Sequence, residues 1–304
     1  MLLGLFLAPN LHAQDSSCLQ RVLPLGITVP EGSRVELNLA SFHGTVHNRP
    51  VRITSVALDD RPHRVVILLD ASGSMQKVWG QVLAVASALA NGPLPDTSIA
   101  LLIFWENTRE VIGFSQGQTA VARRLSQLGS DLNASSKLVR GRTAILDWLS
   151  DGLDLMPASA PTDSLYIITD GEDDRSRTKE ELLARRLTFS GVRVFVSLVS
   201  APRSPVREAL DDRQLMSRLA ARTGGELLSP YADGVPRTPA EKQRFSQALD
   251  SFHRKMIRDY RLEIELPEVL HKPSRWRLTL DSEDKNIRKN VRLVYPSELA
   301  ACAP

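Results

Sequence analysis

The segment Arg64-Val-Val-Ile-Leu-Leu69 constrains the fold more than any other part of the chain, because its apolar run is unbroken and stops at Asp70. A strand with one wet face alternates apolar and polar residues. A strand covered by helices on both faces of a parallel sheet reads as continuous hydrophobicity. After the Asp70–Ser74 loop, Val78, Val82, Leu83, Val85, Ala86 and Leu89 recur at helical spacing until Asn91-Gly92-Pro93 stops the helix. Further cycles follow: strands at Ser98–Trp105 and Arg109–Phe114, helices at Thr119–Leu128 and Thr143–Met156, and a strand at Ser164–Thr169. Next come a helix at Thr178–Phe189, a strand at Val192–Val199, a helix at Arg213–Arg222, a short strand near Glu226–Leu228 and a long helix at Pro239–Arg258. Strands alternating with helices predict an α/β fold, a doubly wound and mostly parallel sheet flanked by helices.

The two ends of the chain read differently. Arg34-Val-Glu-Leu-Asn-Leu39, Val51–Leu58, Asp259–Leu266, Arg275–Asp281 and Ile287–Val294 alternate apolar and polar residues, as antiparallel strands with one wet face do. They are expected to pack together as one small β module. The resulting division is residues 1–13 as an export signal, 14–62 as an N-terminal β region, 63–258 as the α/β domain and 259–304 as a C-terminal β region. The first part rests on the short apolar run Met1–Ala8 and the small residue Ala13 before polar Gln14-Asp15, although no Lys or Arg precedes the run. That run is far too short to span a bilayer and reads as a cleaved export signal, so an exported chain, periplasmic or extracellular, is expected. Its two cysteines, Cys18 and Cys302, are then expected to pair in an oxidising compartment.

Charge excludes one class of function. Thirty-eight basic against 35 acidic residues leave a net charge of +3, and pairs such as Arg123-Arg124, Arg185-Arg186 and Arg254-Lys255 sit on helical patterns among acids and apolar residues. They read as solvated helix faces, and no nucleic-acid partner is expected.

Three polar segments fall where an open α/β sheet binds its ligands, beyond the carboxyl ends of the strands. Asp70-Ala-Ser72-Gly-Ser74 follows the first buried strand, Gly141-Arg-Thr143 opens a helix, and Thr169-Asp170-Gly171 closes a strand. Two carboxylates and three hydroxyls without His or Cys make a hard, all-oxygen site, suited to Mg²⁺, Mn²⁺ or Ca²⁺ rather than zinc or copper. With only two acids the ion keeps much of its Lewis acidity, and a carboxylate from a partner can complete its coordination.

Ile67-Leu-Leu-Asp70-Ala-Ser72-Gly-Ser74-Met75, the later Thr143 and Ile168-Thr-Asp170-Gly171 resemble the metal-ion-dependent adhesion site of von Willebrand factor type A (VWA) domains, over about residues 65–258. The resemblance implies that Ser72, Ser74 and Thr143 contact a divalent cation, Mg²⁺ foremost, while Asp70 and Asp170 act mainly through water and hydrogen bonds to those hydroxyls. It implies a non-enzymatic module that captures a protein or peptide carboxylate. The flanks, with Asp259-Tyr-Arg-Leu-Glu-Ile264, are similar to a bacterial subfamily of exported proteins described only as VWFA-related.

Two other readings compete. One is an envelope scaffold whose metal only stabilises the fold. The other is a Mg²⁺-dependent phosphatase of the haloacid-dehalogenase type, which Asp70 and Asp170-Gly-Glu172-Asp173-Asp174 also resemble. That chemistry looks for a second acid two residues after the nucleophile. Here the position holds Ser72, which cannot donate a proton as a general acid near neutral pH. No G-x-S-x-G elbow surrounds Ser72 or Ser74, so a serine hydrolase is disfavoured too. Arg142, beside Thr143, is a candidate to hold the partner carboxylate. The acids Glu172, Asp173 and Asp174 read as a solvated loop.

Overall fold

The computed structural model describes residues 18–29, 38–106, 108–130, 139, 141–199, 206–257, 259–281 and 290–302. The expected export signal, 1–13, lies outside these residues, as do residues 34–37 of the first expected strand. Leu39–Ser41 is a short 3-10 turn, its first free N–H groups partly met by the Asn38 side chain. The strands are β1 (Gln20–Thr28), β2 (Phe42–Val46), β3 (Arg49–Leu58), β4 (His63–Asp70), β5 (Thr97–Trp105), β6 (Thr108–Ile112), β7 (Ser164–Thr169) and β8 (Arg193–Leu198). They continue with β9 (Leu227–Leu228), β10 (Tyr260–Glu265), β11 (Ser274–Leu280), β12 (Arg292–Val294) and β13 (Glu298–Leu299). The helices are α1 (Trp79–Ala90), α2 (Gly117–Ser130), α3 (Ile145–Asp154), α4 (Glu180–Ser190), α5 (Val206–Thr223) and α6 (Pro239–Ile257).

Six strands form one sheet in the order β6-β5-β4-β7-β8-β9. The β5/β6 pair is antiparallel and the remaining pairs are parallel. β4 explains why its sequence is uniformly apolar. Val65, Ile67 and Leu69 face a layer that includes α1, α2 and α6, whereas Val66 and Leu68 face α3, α4 and α5, and all five are fully buried. The chain leaves β4 toward β5 and later returns to β7 on the opposite side. The ends of β4 and β7 therefore flank the switch point where such sheets bind ligands.

The remaining strands form a seven-stranded antiparallel sheet, β12-β1-β10-β3-β2-β11-β13, drawn from both ends of the chain. It is larger than the small module expected from alternation. Its own core includes Leu25, Phe42, Val46, Leu262, Ile264, Trp276 and Leu278. The burial of β11, in which Ser274, Trp276 and Leu278 are buried between exposed Arg275 and Arg277, is the period-2 pattern of a sheet wet on one face. Cys18 and Cys302 are disulfide-bonded, with Cα atoms 5.5 Å apart. Among the described residues no helix is long and apolar enough to cross a membrane.

Candidate metal centre

Asp70 ends β4 at the centre of the six-stranded sheet and is completely buried. The register that sets Leu69 beside Ile168 puts Thr169 of β7 next to Asp70, and the Thr169 hydroxyl donates to Asp70 Oδ2 at 2.6 Å. Oδ1 accepts the Ser72 N–H at 2.9 Å, the short-range bond that turns an Asp-x-Ser loop back on itself. Ser72 and Ser74 hydroxyls lie 3.1 Å apart, and Ser74 in turn bonds to the Asp170 carboxylate. Asp70, Ser72, Ser74 and Asp170 thus form one hydrogen-bonded chain across the ends of β4 and β7. Ser72 is buried, Asp170 half-buried and Ser74 exposed, so the hydrogen-bonded chain climbs from the core to the surface.

The loop that carries Thr143 meets the Asp70–Ser74 loop through its main chain at Gly141, while the main chain of Thr143 itself is bonded to Asp174. The Gly73 N–H donates to the Gly141 carbonyl at 3.0 Å, and the Asp174 N–H donates to the Thr143 carbonyl at 3.2 Å. The Asp174 carboxylate closes that pair by accepting the Thr143 N–H at 3.1 Å. Thr143 is buried two residues ahead of α3, which begins at Ile145 and not at Thr143. The cap of α3 comes from another loop: Ser176 Oγ accepts the Leu146 N–H at 2.9 Å. Asp147 returns the favour by accepting from the Thr178 N–H at 2.8 Å and the Arg177 N–H at 3.1 Å. Gly141 has φ +82°, and a Cβ there would lie 2.7 Å from that of Glu106, so only glycine lets this loop approach.

Thr169, Asp174 and Ser176 are structural members of the site to which the sequence reading gave no role. Thr169 was detectable in principle, because a hydroxyl at the last position of a strand parallel to β4 lands beside Asp70. Asp174 and Ser176 carried no such signal, since their partners are 31 and 30 residues away, respectively. Arg142 ion-pairs with Asp174 at 3.4 Å, both side chains being half or more exposed, instead of facing a partner as a lone cation.

Two carboxylates in one small, partly dry site disfavour each other's charge. Burial first, then the neighbouring Asp170, push Asp70 up to about 7. Burial also raises Asp170. Among the described residues no three His, Cys, Asp or Glu side chains gather at one point, so any cation held here depends on the Ser and Thr hydroxyls. An all-oxygen set of two carboxylates whose ionisation is penalised fits a hard divalent cation.

Residues 35–222 match the family model described as VWA domain containing CoxE-like protein. No curated protein is similar to the chain in sequence. Solved structures similar to it include proximal thread matrix protein 1 of the mussel byssus (TM-score 0.45, 13% identity, 68% of this chain and 49% of that one). Manganese-loaded TRAP protein of Plasmodium vivax has a TM-score of 0.41 and 10% identity, over 79% of this chain and 96% of that one. The human COPII-coat protein Sec24c has a TM-score of 0.43 and 11% identity, over 80% and 44%. The chain spans about half the length of the mussel protein. The family match covers more than half of the chain and includes Asp70, Ser72, Ser74, Thr143 and Asp170, and the protein belongs to the family of VWA-domain-containing, CoxE-like proteins.

Proposed function

We propose that the chain is a metal-ion-dependent interaction module of the cell envelope or exterior. In this reading Asp70, Ser72, Ser74, Thr143 and Asp170 hold a divalent cation, Mg²⁺ foremost, with Mn²⁺ and Ca²⁺ as alternatives of the same hard-oxygen chemistry. A bound cation supplies a Lewis-acidic position that a carboxylate of a partner protein or peptide fills. The observation that carries the reading is the continuous chain Asp70–Ser72–Ser74–Asp170, which holds two acids together at a cost that a cation offsets. The hydroxyls of Ser72 and Ser74 and the preorganised turn at Gly73 present oxygen without adding negative charge. The disulfide supports the expectation of export, since such bonds persist in oxidising compartments. The division into an α/β unit at 63–258 and flanking β regions at 14–62 and 259–304 belongs to the same proposal.

Calorimetric titration of Mg²⁺ or Mn²⁺ tests it. Wild type is expected to give a saturable heat and Asp70→Ala none. Equal responses, or no response in either, would remove the metal site. Copurification from envelope extract, with and without chelator, then separates exchangeable capture from a permanent scaffold.

A further inference from the structure

The turn after β5 carries an acid that its own geometry does not ask for. Glu106 opens a two-residue turn closed by the pair Trp105 and Thr108, and its backbone is left-handed, with φ +49°. Turns of this length favour Asn, Asp or Gly at that position, because those residues tolerate a positive φ best.

The parallel register brings Glu106 to the candidate metal centre. Phe104, two residues earlier, is the register partner of Asp70, and its carbonyl accepts the Ala71 N–H at 2.8 Å. The Glu106 side chain lies against Gly141: a Cβ at Gly141 would stand 3.2 Å from Glu106 Oε2 and 3.3 Å from its Cδ. The Gly141 carbonyl in turn accepts the Gly73 N–H at 3.0 Å. The carboxylate thus rests on the residue that joins the Thr143 loop to the Asp70–Ser74 loop.

Other acids of these loops are already engaged. Asp174 accepts the Thr143 N–H and pairs with Arg142, Asp173 accepts the Ser176 N–H at 3.1 Å, and Asp170 accepts from Ser74. Arg109, at the start of β6, is taken up by Asp151 at 2.6 Å. Glu106 is exposed, and among the described residues its carboxylate has no hydrogen bond or ion pair. Its charge is neither desolvated nor cancelled, so it acts on any ion bound nearby.

We propose that Glu106 is a third acid of the metal centre, which draws the divalent cation electrostatically without ligating it. This rests on the reading of Asp70, Ser72, Ser74, Thr143 and Asp170 as a cation site. Two carboxylates only balance a divalent charge. A third, held outside the coordination sphere, tips the balance toward the cation and leaves the free positions to water and to the partner. A charge set apart in this way agrees with the finding that, among the described residues, no three acids converge on one point.

Calorimetric titration of Mn²⁺ into the full oxidised chain at two ionic strengths tests it. At about 0.01 M KCl, where charges act over roughly 30 Å, Glu106→Gln is expected to bind Mn²⁺ at least about threefold more weakly than wild type. At about 1 M, where they act over roughly 3 Å, the two are expected to agree. Glu106→Asp keeps the charge and suits the turn, so its low-salt affinity is expected to stay within about twofold of wild type. Glu106→Asn also suits the turn but removes the charge; its urea midpoint is expected to match or exceed that of wild type while its affinity falls as in Glu106→Gln. A loss of affinity that persists at high salt, that Glu106→Asp shares, or that comes with a lower urea midpoint in Glu106→Asn shows a side chain acting by shape, and overturns the proposal. Glu106→Gln binding as tightly as wild type at low salt overturns it too. Wild type without saturable heat, or Asp70→Ala with the same heat, overturns the metal reading and this inference with it.

Discussion

Asp70 is a carboxylate with both oxygens already engaged, one by the Ser72 N–H and one by the Thr169 hydroxyl. That engagement makes Thr169 the residue on which the candidate site leans without being a proposed ligand. Thr169→Val keeps the shape of the side chain, strips the O–H donor from Asp70 and removes the acceptor of the Gly171 N–H at 3.0 Å. Leaving buried polar groups unpaired costs about 1–3 kcal/mol, so urea denaturation of the variant is expected to show a loss of that order. An unchanged midpoint would mean that Asp70 is held by other groups. The loop string Asp70-Ala-Ser72-Gly-Ser74 was legible because every bond within it is local. Thr143 and Asp170 were legible as hydroxyl and acid near element boundaries. The bracing by Asp174 and Ser176 was not, because a side chain that caps a distant loop leaves no periodic trace in its own segment.

Among the elements, α6 links the two sheets, since it packs on the α/β sheet and precedes β10 in the chain. Its C-terminal carbonyls need partners, and fully buried Arg193 at the start of β8 supplies them, donating to the Lys255 carbonyl at 3.1 Å and the Met256 carbonyl at 2.8 Å. Asp259, buried beside it, completes an ion pair with the guanidinium. Burial pushes Arg193 down to about 9, which still leaves it charged at neutral pH. Breaking one side of such a pair strands the other charge in the interior. Arg193→Met is therefore expected to destabilise by about 3–5 kcal/mol, measured by urea unfolding, while Arg193→Met with Asp259→Leu recovers most of the loss. If the double variant is as unstable as the single one, the carbonyl caps and not the ion pair hold the joint. Sequence periodicity placed α6 within a residue of its bounds, yet nothing in it marked Arg193, which stands in an otherwise apolar strand and reads as an ordinary strand terminus.

At the scale of the whole molecule the disulfide joins residues 284 apart. A cross-link that closes a loop of this size limits the unfolded chain severely, and loss of a native disulfide costs typically about 2–5 kcal/mol. Cys18→Ala with Cys302→Ala is expected to lose that much in urea unfolding followed by tryptophan fluorescence, with Trp276 reporting the antiparallel sheet. A variant as stable as wild type would show that β1 and β13 are held by their sheet partners alone. The sequence by itself determined the class of the strands it marked, such as β3, β4, β7, β8, β10 and β11, because burial on one face or two is written in alternation or continuity of apolar residues, whereas β1, β2 and β13 carried no such reading. It also determined the local turn that presents Asp70, Ser72 and Ser74, since glycine and an Asx bond act within five residues. Only the tertiary structure decided which strands became neighbours and how two chain ends made one seven-stranded sheet. Strand pairing is chosen by non-local hydrogen bonds and by the fit of buried faces, and neither leaves a periodic trace in the linear text.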